Sequence, residues 1–240
     1  MPFTIIAVIC AFIAKGMCGF ANTLVFSTMM SFTANNINIT PLELIVGYPS
    51  NLFIAWRERK EIQTKVWLPL AVLVMLGIIP GTLFLKSGDT QFVKVLFGLA
   101  VILVGIEMLL REKQKTKKKS SRSFLMVIGI LSGIFCGLFG IGAILVAYIS
   151  RTTDNQNQFR GNLCIVFFIE NTFRILLYSI TGILSMAILK QAVLLLPFMA
   201  LGLTIGILLA RKMSDRFVRK AIIVLLILSG VSLIVNNVSL

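Results

Sequence analysis

Residues 12–27 read FIAKGMCGFANTLVFS, and the fold turns on how that stretch is understood. A lysine and two glycines, Lys15, Gly16 and Gly19, interrupt what would otherwise be one continuous apolar run. A charge in the middle of a membrane segment is expensive and marks a functional candidate by default. Glycines at that depth permit tight reversals and close backbone approach.

The surrounding composition makes the membrane reading firm. The 240 residues are 58% hydrophobic, with mean hydropathy +0.96, and only 13% are charged. The charges fall in short blocks between apolar runs of spanning length. The net charge of +14 raises the question of nucleic acid. No soluble portion exists to carry such a surface, so no nucleic-acid partner is expected and the bias reads as positive-inside. The opening MPFTIIAVIC lacks the basic flank of a secretory signal, so its apolar run is expected to be retained. Cys10, Cys18, Cys136 and Cys164 all lie in apolar segments without a CxxC pairing, and histidine is absent. Metal and cofactor chemistry is therefore not expected, and neither is an enzyme: no nucleophile–base pair is recognisable.

Unbroken apolar runs cover 42–56, 66–85, 92–110, 162–181, 186–210 and 217–235. Two further runs, 3–33 and 124–150, are broken at KGMCGFAN (15–22) and GLFGIG (137–142). The two breaks belong to an internal repeat. Gly16-x-x-Gly19 aligns with Gly137-x-x-Gly140, Ser50-Asn51 with Glu170-Asn171, Gly77-x-x-x-Gly81 with Gly202-x-x-x-Gly206, and the Gly105 region with that of Gly230. The expected organisation is a first transmembrane repeat over 1–110, a basic cytoplasmic linker over 111–123, and a second repeat over 124–240.

Basic residues decide whether the broken segments cross or return. If they return, loops 57–65, 111–122, 151–160 and 211–220 share one side and hold 4, 7, 2 and 5 Lys and Arg, 18 in all. The other side keeps only Lys86, Lys94 and Lys190. Full crossings would divide the same residues 12 to 9. The hairpin arrangement fits the positive-inside rule and puts those four loops in the cytoplasm. Each repeat then has one hairpin and three crossings, an odd number, so consecutive repeats are inverted. The expected fold is an all-α integral membrane protein of two inverted repeats, the architecture of secondary transporters with a midplane site.

New half-helices are expected to start near Asn22-Thr23 and near Ala143, their positive N-terminal ends facing the protein centre. Lys15, Glu170 and Arg174 then sum to one net positive charge, which an anion would balance. The candidate binding residues are Lys15, Gly19, Asn22, Thr23, Ser50, Asn51, Gly140, Gly142, Asn171 and Arg174, with Glu170 as proton carrier. Plainer readings stand beside these. Glu170 and Arg174, one turn apart, suit a structural salt bridge, and Lys15 suits snorkelling along a cavity or pairing with another buried carboxylate. Ser50, Asn51 and Asn171 suit helix–helix hydrogen bonds. The glycine pairs at 77–81 and 202–206 suit close packing alone, while Glu43 and Glu107 lie near span ends, within reach of interfacial water.

At these residues the sequence resembles the TauE/SafE sulfite exporter family, also called the TSUP family. The likeness covers the whole chain as two related halves, each opening on a glycine-rich broken segment. GLFGIGAILV (137–146) keeps the family's G-x-x-G-x-G-G-G pattern fairly well, whereas GMCGFANTLV (16–25) has Ala21, Asn22 and Thr23 where small glycines are expected. The resemblance implies transport of sulfite, thiosulfate or sulfonates across the bacterial inner membrane. The expected partners are a small anion and the lipid bilayer, with a homodimer left open. An uncoupled anion channel and a non-transporting membrane scaffold remain alternatives.

Overall fold

The computed structural model describes residues 2–30, 36–87, 122–139 and 142–214, with scattered positions between 95 and 109 and between 217 and 235. Gly140, Gly105, Glu107 and nearly all of the basic linker lie outside the described residues. The described chain is helical throughout, without strands. In order, the helices are α1 (Pro2–Cys18), α2 (Asn22–Met30), α3 (Asn36–Arg57), α4 (Thr64–Ser87), α5 (Arg122–Phe139), α6 (Ala143–Thr152), α7 (Gln156–Ile180) and α8 (Met186–Arg211). A 3-10 turn at Arg59–Glu61 joins α3 to α4.

Three of these, over Thr64–Leu83, Gln156–Ile180 and Met186–Arg211, are long and apolar enough to cross a bilayer. Their outward faces carry exposed Leu76, Leu83, Ile180, Val193 and Leu194, the surface a lipid environment requires. The run expected at 42–56 is a 22-residue helix, because polar residues from Asn36 onward extend it. Pro41 and Pro49 sit inside α3, Pro69 and Pro80 inside α4, and Pro197 inside α8. Neighbouring helices and local adjustments satisfy the backbone groups that such prolines free.

Both broken segments are helix–break–helix units, with the second helices beginning at Asn22 and Ala143 as the residue pattern predicts. The first break is narrower than expected. α1 continues to Cys18, so Lys15 sits in its last helical turn and not in the reversal. The turn itself is made by Gly19 (φ 86°) and Ala21 (φ 77°). Gly16 stays helical because its bare backbone is the contact surface of α1. At 17 residues α1 is about 25 Å long, short of the roughly 30 Å hydrocarbon core. α2 and α6, at 9 and 10 residues, are about half a span each.

Backbone-close interfaces pack α1 on α8 and α4 on α5. A Cβ on Gly206 would stand 2.3 Å from the Ile13 carbonyl and 2.9 Å from Gly16 Cα, so α1 and α8 meet main chain to main chain. A Cβ on Gly81 would stand 2.3 Å from the Ile134 carbonyl and 3.1 Å from Gly137 Cα, and α4 meets α5 in the same way. Small residues at such crossings supply the van der Waals contact that drives association in lipid. The aligned pairs Gly16/Gly137 and Gly81/Gly206 thus exchange partners between the two interfaces. α3 and α7 lie between them, joined by a Tyr48–Thr172 hydrogen bond of 3.0 Å and a stacked Tyr48–Phe168 pair at 5.1 Å.

Candidate functional site

A narrow cleft with a cavity volume of about 20 Å³ opens between α1, the start of α2, α3, the start of α6 and α7. Lys15, Asn22, Thr23, Asn51, Gly142, Glu170 and Asn171 line it, together with Ala21 and the apolar walls Phe20, Leu24 and Phe167. Residues more than a hundred positions apart thus converge on one space. Both break-following helix starts face it, one through residues 20–24 and the other through Gly142. No side chain caps the start of α6. A Cβ on Gly142 would fall 2.5 Å from the Phe167 ring, so a larger residue there would have to displace that ring.

Helical spacing explains the polar wall. Lys15, 1% exposed, projects from the end of α1 and donates a 2.6 Å hydrogen bond to Asn51 Oδ1. Its position suits the negative end of the α1 dipole. On α3, Glu43, Gly47 and Asn51 recur every four residues and therefore share one face. On α7, Glu170, Arg174 and Tyr178 do the same. Arg174 donates to Glu170 Oε1 at 2.9 Å, to Asn171 Oδ1 at 3.3 Å and to the Tyr178 hydroxyl at 3.3 Å. Tyr178 in turn donates to the Gly137 carbonyl at 2.9 Å, tying this network to the end of α5.

Three expected site residues stand outside the lining. Ser50 is buried, but its hydroxyl turns back to the Gly47 carbonyl of its own helix. Gly19 forms the reversal and packs against Arg160, whose side chain donates to the Met17 carbonyl. Arg174 lies behind the cleft wall, presenting Glu170 and Asn171 rather than its own guanidinium. Gly140 falls outside the described residues.

One residue was placed wrongly by the sequence pattern. Glu43, expected at interfacial water, is 4% exposed, lines the cleft and accepts a hydrogen bond from the Asn22 side-chain amide. The apolar run suggests a helix beginning at 42, which puts Glu43 at an end. The true start at Asn36 puts it two turns inside. The Glu43–Gly47–Asn51 stripe was the signal that could have found it. Its consequence is electrostatic: with Glu43 counted, Lys15 and Arg174 are matched by two carboxylates, and the polar core is neutral when all four groups are ionised.

A family model described as "Sulfite exporter TauE/SafE" matches residues 4–233. Among curated proteins, the chain is similar to one from Cupriavidus necator named "Probable sulfite/organosulfonate exporter TauE". The two are 24% identical over 173 residues, covering 70% of this chain and 67% of the relative. No solved structure matches.

Proposed function

The chain belongs to the sulfite exporter TauE/SafE family, and from that premise we propose that it moves a small sulfur-containing or organic anion across the cytoplasmic membrane by alternating access. Membership makes it a multi-pass membrane transporter rather than an enzyme. Sulfite and sulfonates follow the name of the Cupriavidus necator relative, a sulfite/organosulfonate exporter, and thiosulfate is kept as a cargo of the same chemistry.

The observation that carries the proposal is the convergence of both broken segments on one polar cleft with Lys15 in its wall. An anion there would meet the positive ends of α2 and α6, the Lys15 ammonium and the amides of Asn51 and Asn171. The exchanged glycine interfaces, α1 on α8 and α4 on α5, support a reading as two inverted repeats, 1–110 and 124–240, joined by the linker 111–123. Rocking one repeat against the other about the cleft would alternate its access. The half-span lengths of α2 and α6 support re-entrant hairpins, with the basic loops 57–65, 111–122, 151–160 and 211–220 cytoplasmic. Proton coupling belongs to the proposal, since two carboxylates, those of Glu170 and Glu43, line the cleft.

The test is thermal stabilisation of purified protein by sulfite, thiosulfate, sulfate, taurine, sulfoacetate and simple carboxylates, followed by flux in proteoliposomes. A ligand of the folded state must raise its apparent stability by mass action. Stabilisation by a sulfur anion, with accumulation of that anion against its gradient, is the expected result. Flux that only follows the gradient would favour an uncoupled channel. No stabilisation and no flux with any of them would leave the scaffold reading.

A further inference from the structure

Three ionisable side chains line the cleft and a fourth, Arg174, lies just behind its wall, and they are not equivalent. Glu170 and Arg174 neutralise each other through a direct 2.9 Å contact, both side chains at most 2% exposed. Protonating Glu170 would leave the buried Arg174 guanidinium uncompensated, which is strongly unfavourable. Lys15 and Glu43 are held differently. Each is bound by a neutral amide, Lys15 by Asn51 and Glu43 by Asn22. Among the described residues neither has an ion-pair contact, and both line the open space.

Room for this arrangement is built into α3. A Cβ on Gly47 would stand 3.0 Å from Glu43 Oε1 and 3.1 Å from Asn22 Nδ2, so the missing side chain accommodates the carboxylate–amide pair. Asn22 is also the first residue of α2, which places Glu43 at the end of the half-helix where an anion would arrive.

Resting on the transport reading above, we propose that Glu43 is the proton-binding group of the cleft, and that anion and proton occupy the site together. With Glu43 ionised, an arriving anion brings surplus negative charge into a buried, already neutral cluster. The groups facing Glu43 are Lys15 from α1, the Thr23 hydroxyl from α2, and Glu170 and Arg174 from α7. Two of them are cations, but Arg174 is spent on Glu170. Protonation of Glu43 leaves the Lys15 charge for the anion to balance, so the loaded site is neutral. It strands no cation, and the neutral carboxyl still accepts from Asn22. One proton then travels with each monovalent anion. The proton gradient thereby acts on anion movement without a separate coupling site.

The experiment uses an alkanesulfonate such as methanesulfonate, whose own charge does not change between pH 5 and 9. Its affinity for the wild-type protein is measured across that range, with proton uptake recorded in weak buffer. The expected affinity falls about tenfold per pH unit above the protonation range of Glu43, with one proton taken up per anion bound. Glu43→Gln keeps an acceptor for Asn22, mimics the protonated state, and is expected to bind with flat pH dependence and no uptake. If that variant does not fold, the wild-type proton count and the slope retained by Glu170→Gln decide the matter. Binding that is pH-independent and proton-free in the wild type would overturn the inference while leaving anion transport intact. So would a slope abolished by Glu170→Gln but kept by Glu43→Gln. No binding of any sulfur anion at any pH would remove the transport reading, and this inference with it.

Discussion

Arg174→Met tests whether the α7 network is an energetic unit or a set of incidental contacts. The substitution keeps a long apolar stem but deletes the guanidinium that holds Glu170, Asn171 and Tyr178 together. Because Arg174 and Glu170 are 1% and 2% exposed, solvent screens neither and no discount for exposure applies. Removing one partner of a buried pair leaves the other charge uncompensated, a loss of about 3–5 kcal/mol. Removing both, in Arg174→Met with Glu170→Leu, takes away the desolvation penalty along with the attraction. The double variant is expected within about 1–2 kcal/mol of the parent. Tyr178 keeps its bond to the Gly137 carbonyl in every case, so α7 stays anchored to α5. The assay is a double-mutant cycle on unfolding midpoints in mixed micelles, with helicity followed by circular dichroism. The reasoning requires the double variant to be more stable than either single. Single-variant costs that simply add would refute it, showing that the 2.9 Å contact carries no coupling.

Other outcomes follow from the same geometry. Gly206→Ala puts a methyl 2.3 Å from the Ile13 carbonyl, where ordinary contact begins near 3.4 Å, so α1 and α8 must separate by about 1 Å. A loss of about 1–3 kcal/mol is expected in the same unfolding assay, and unchanged stability would deny the backbone contact. Ala21→Gly relieves a left-handed alanine at φ 77° and should stabilise the fold by about 1 kcal/mol, read as a rise in melting temperature. A fall would mean that Ala21 is not strained. Lys15→Met deletes the cleft ammonium and a charge-assisted hydrogen bond, so anion affinity should drop roughly 10- to 100-fold. Affinity within twofold of the parent would remove Lys15 from the site.

Much of the architecture was legible because membrane folding leaves strong marks on sequence. Apolar runs of spanning length, glycine placement and repeated glycine spacing all act locally or along one helix. They located the long helices, both breaks and the residues that begin α2 and α6. The same marks failed at particular residues for particular reasons. Lys15 was placed in a non-helical reversal because glycine at 16 suggested a break, but Gly16 is helical and packed on Gly206. Ser50 was expected at the site beside Asn51, yet on a helix adjacent residues point about 100° apart. Its hydroxyl is satisfied within its own turn.

The sequence by itself determined that this is an all-α membrane protein with two broken helical segments and with lysine, arginine and carboxylate groups in its apolar segments. Those properties depend on composition and spacing along the chain. Only the tertiary structure decided which charges meet. It paired Arg174 with Glu170 behind the wall, and it brought Glu43 from an apparent span end onto Asn22. It left Lys15 facing the cleft with an amide for a partner. The physical reason is that hydrophobic periodicity reports which face of a helix is buried, whereas the charge balance of a buried site is set by distances between helices far apart in sequence.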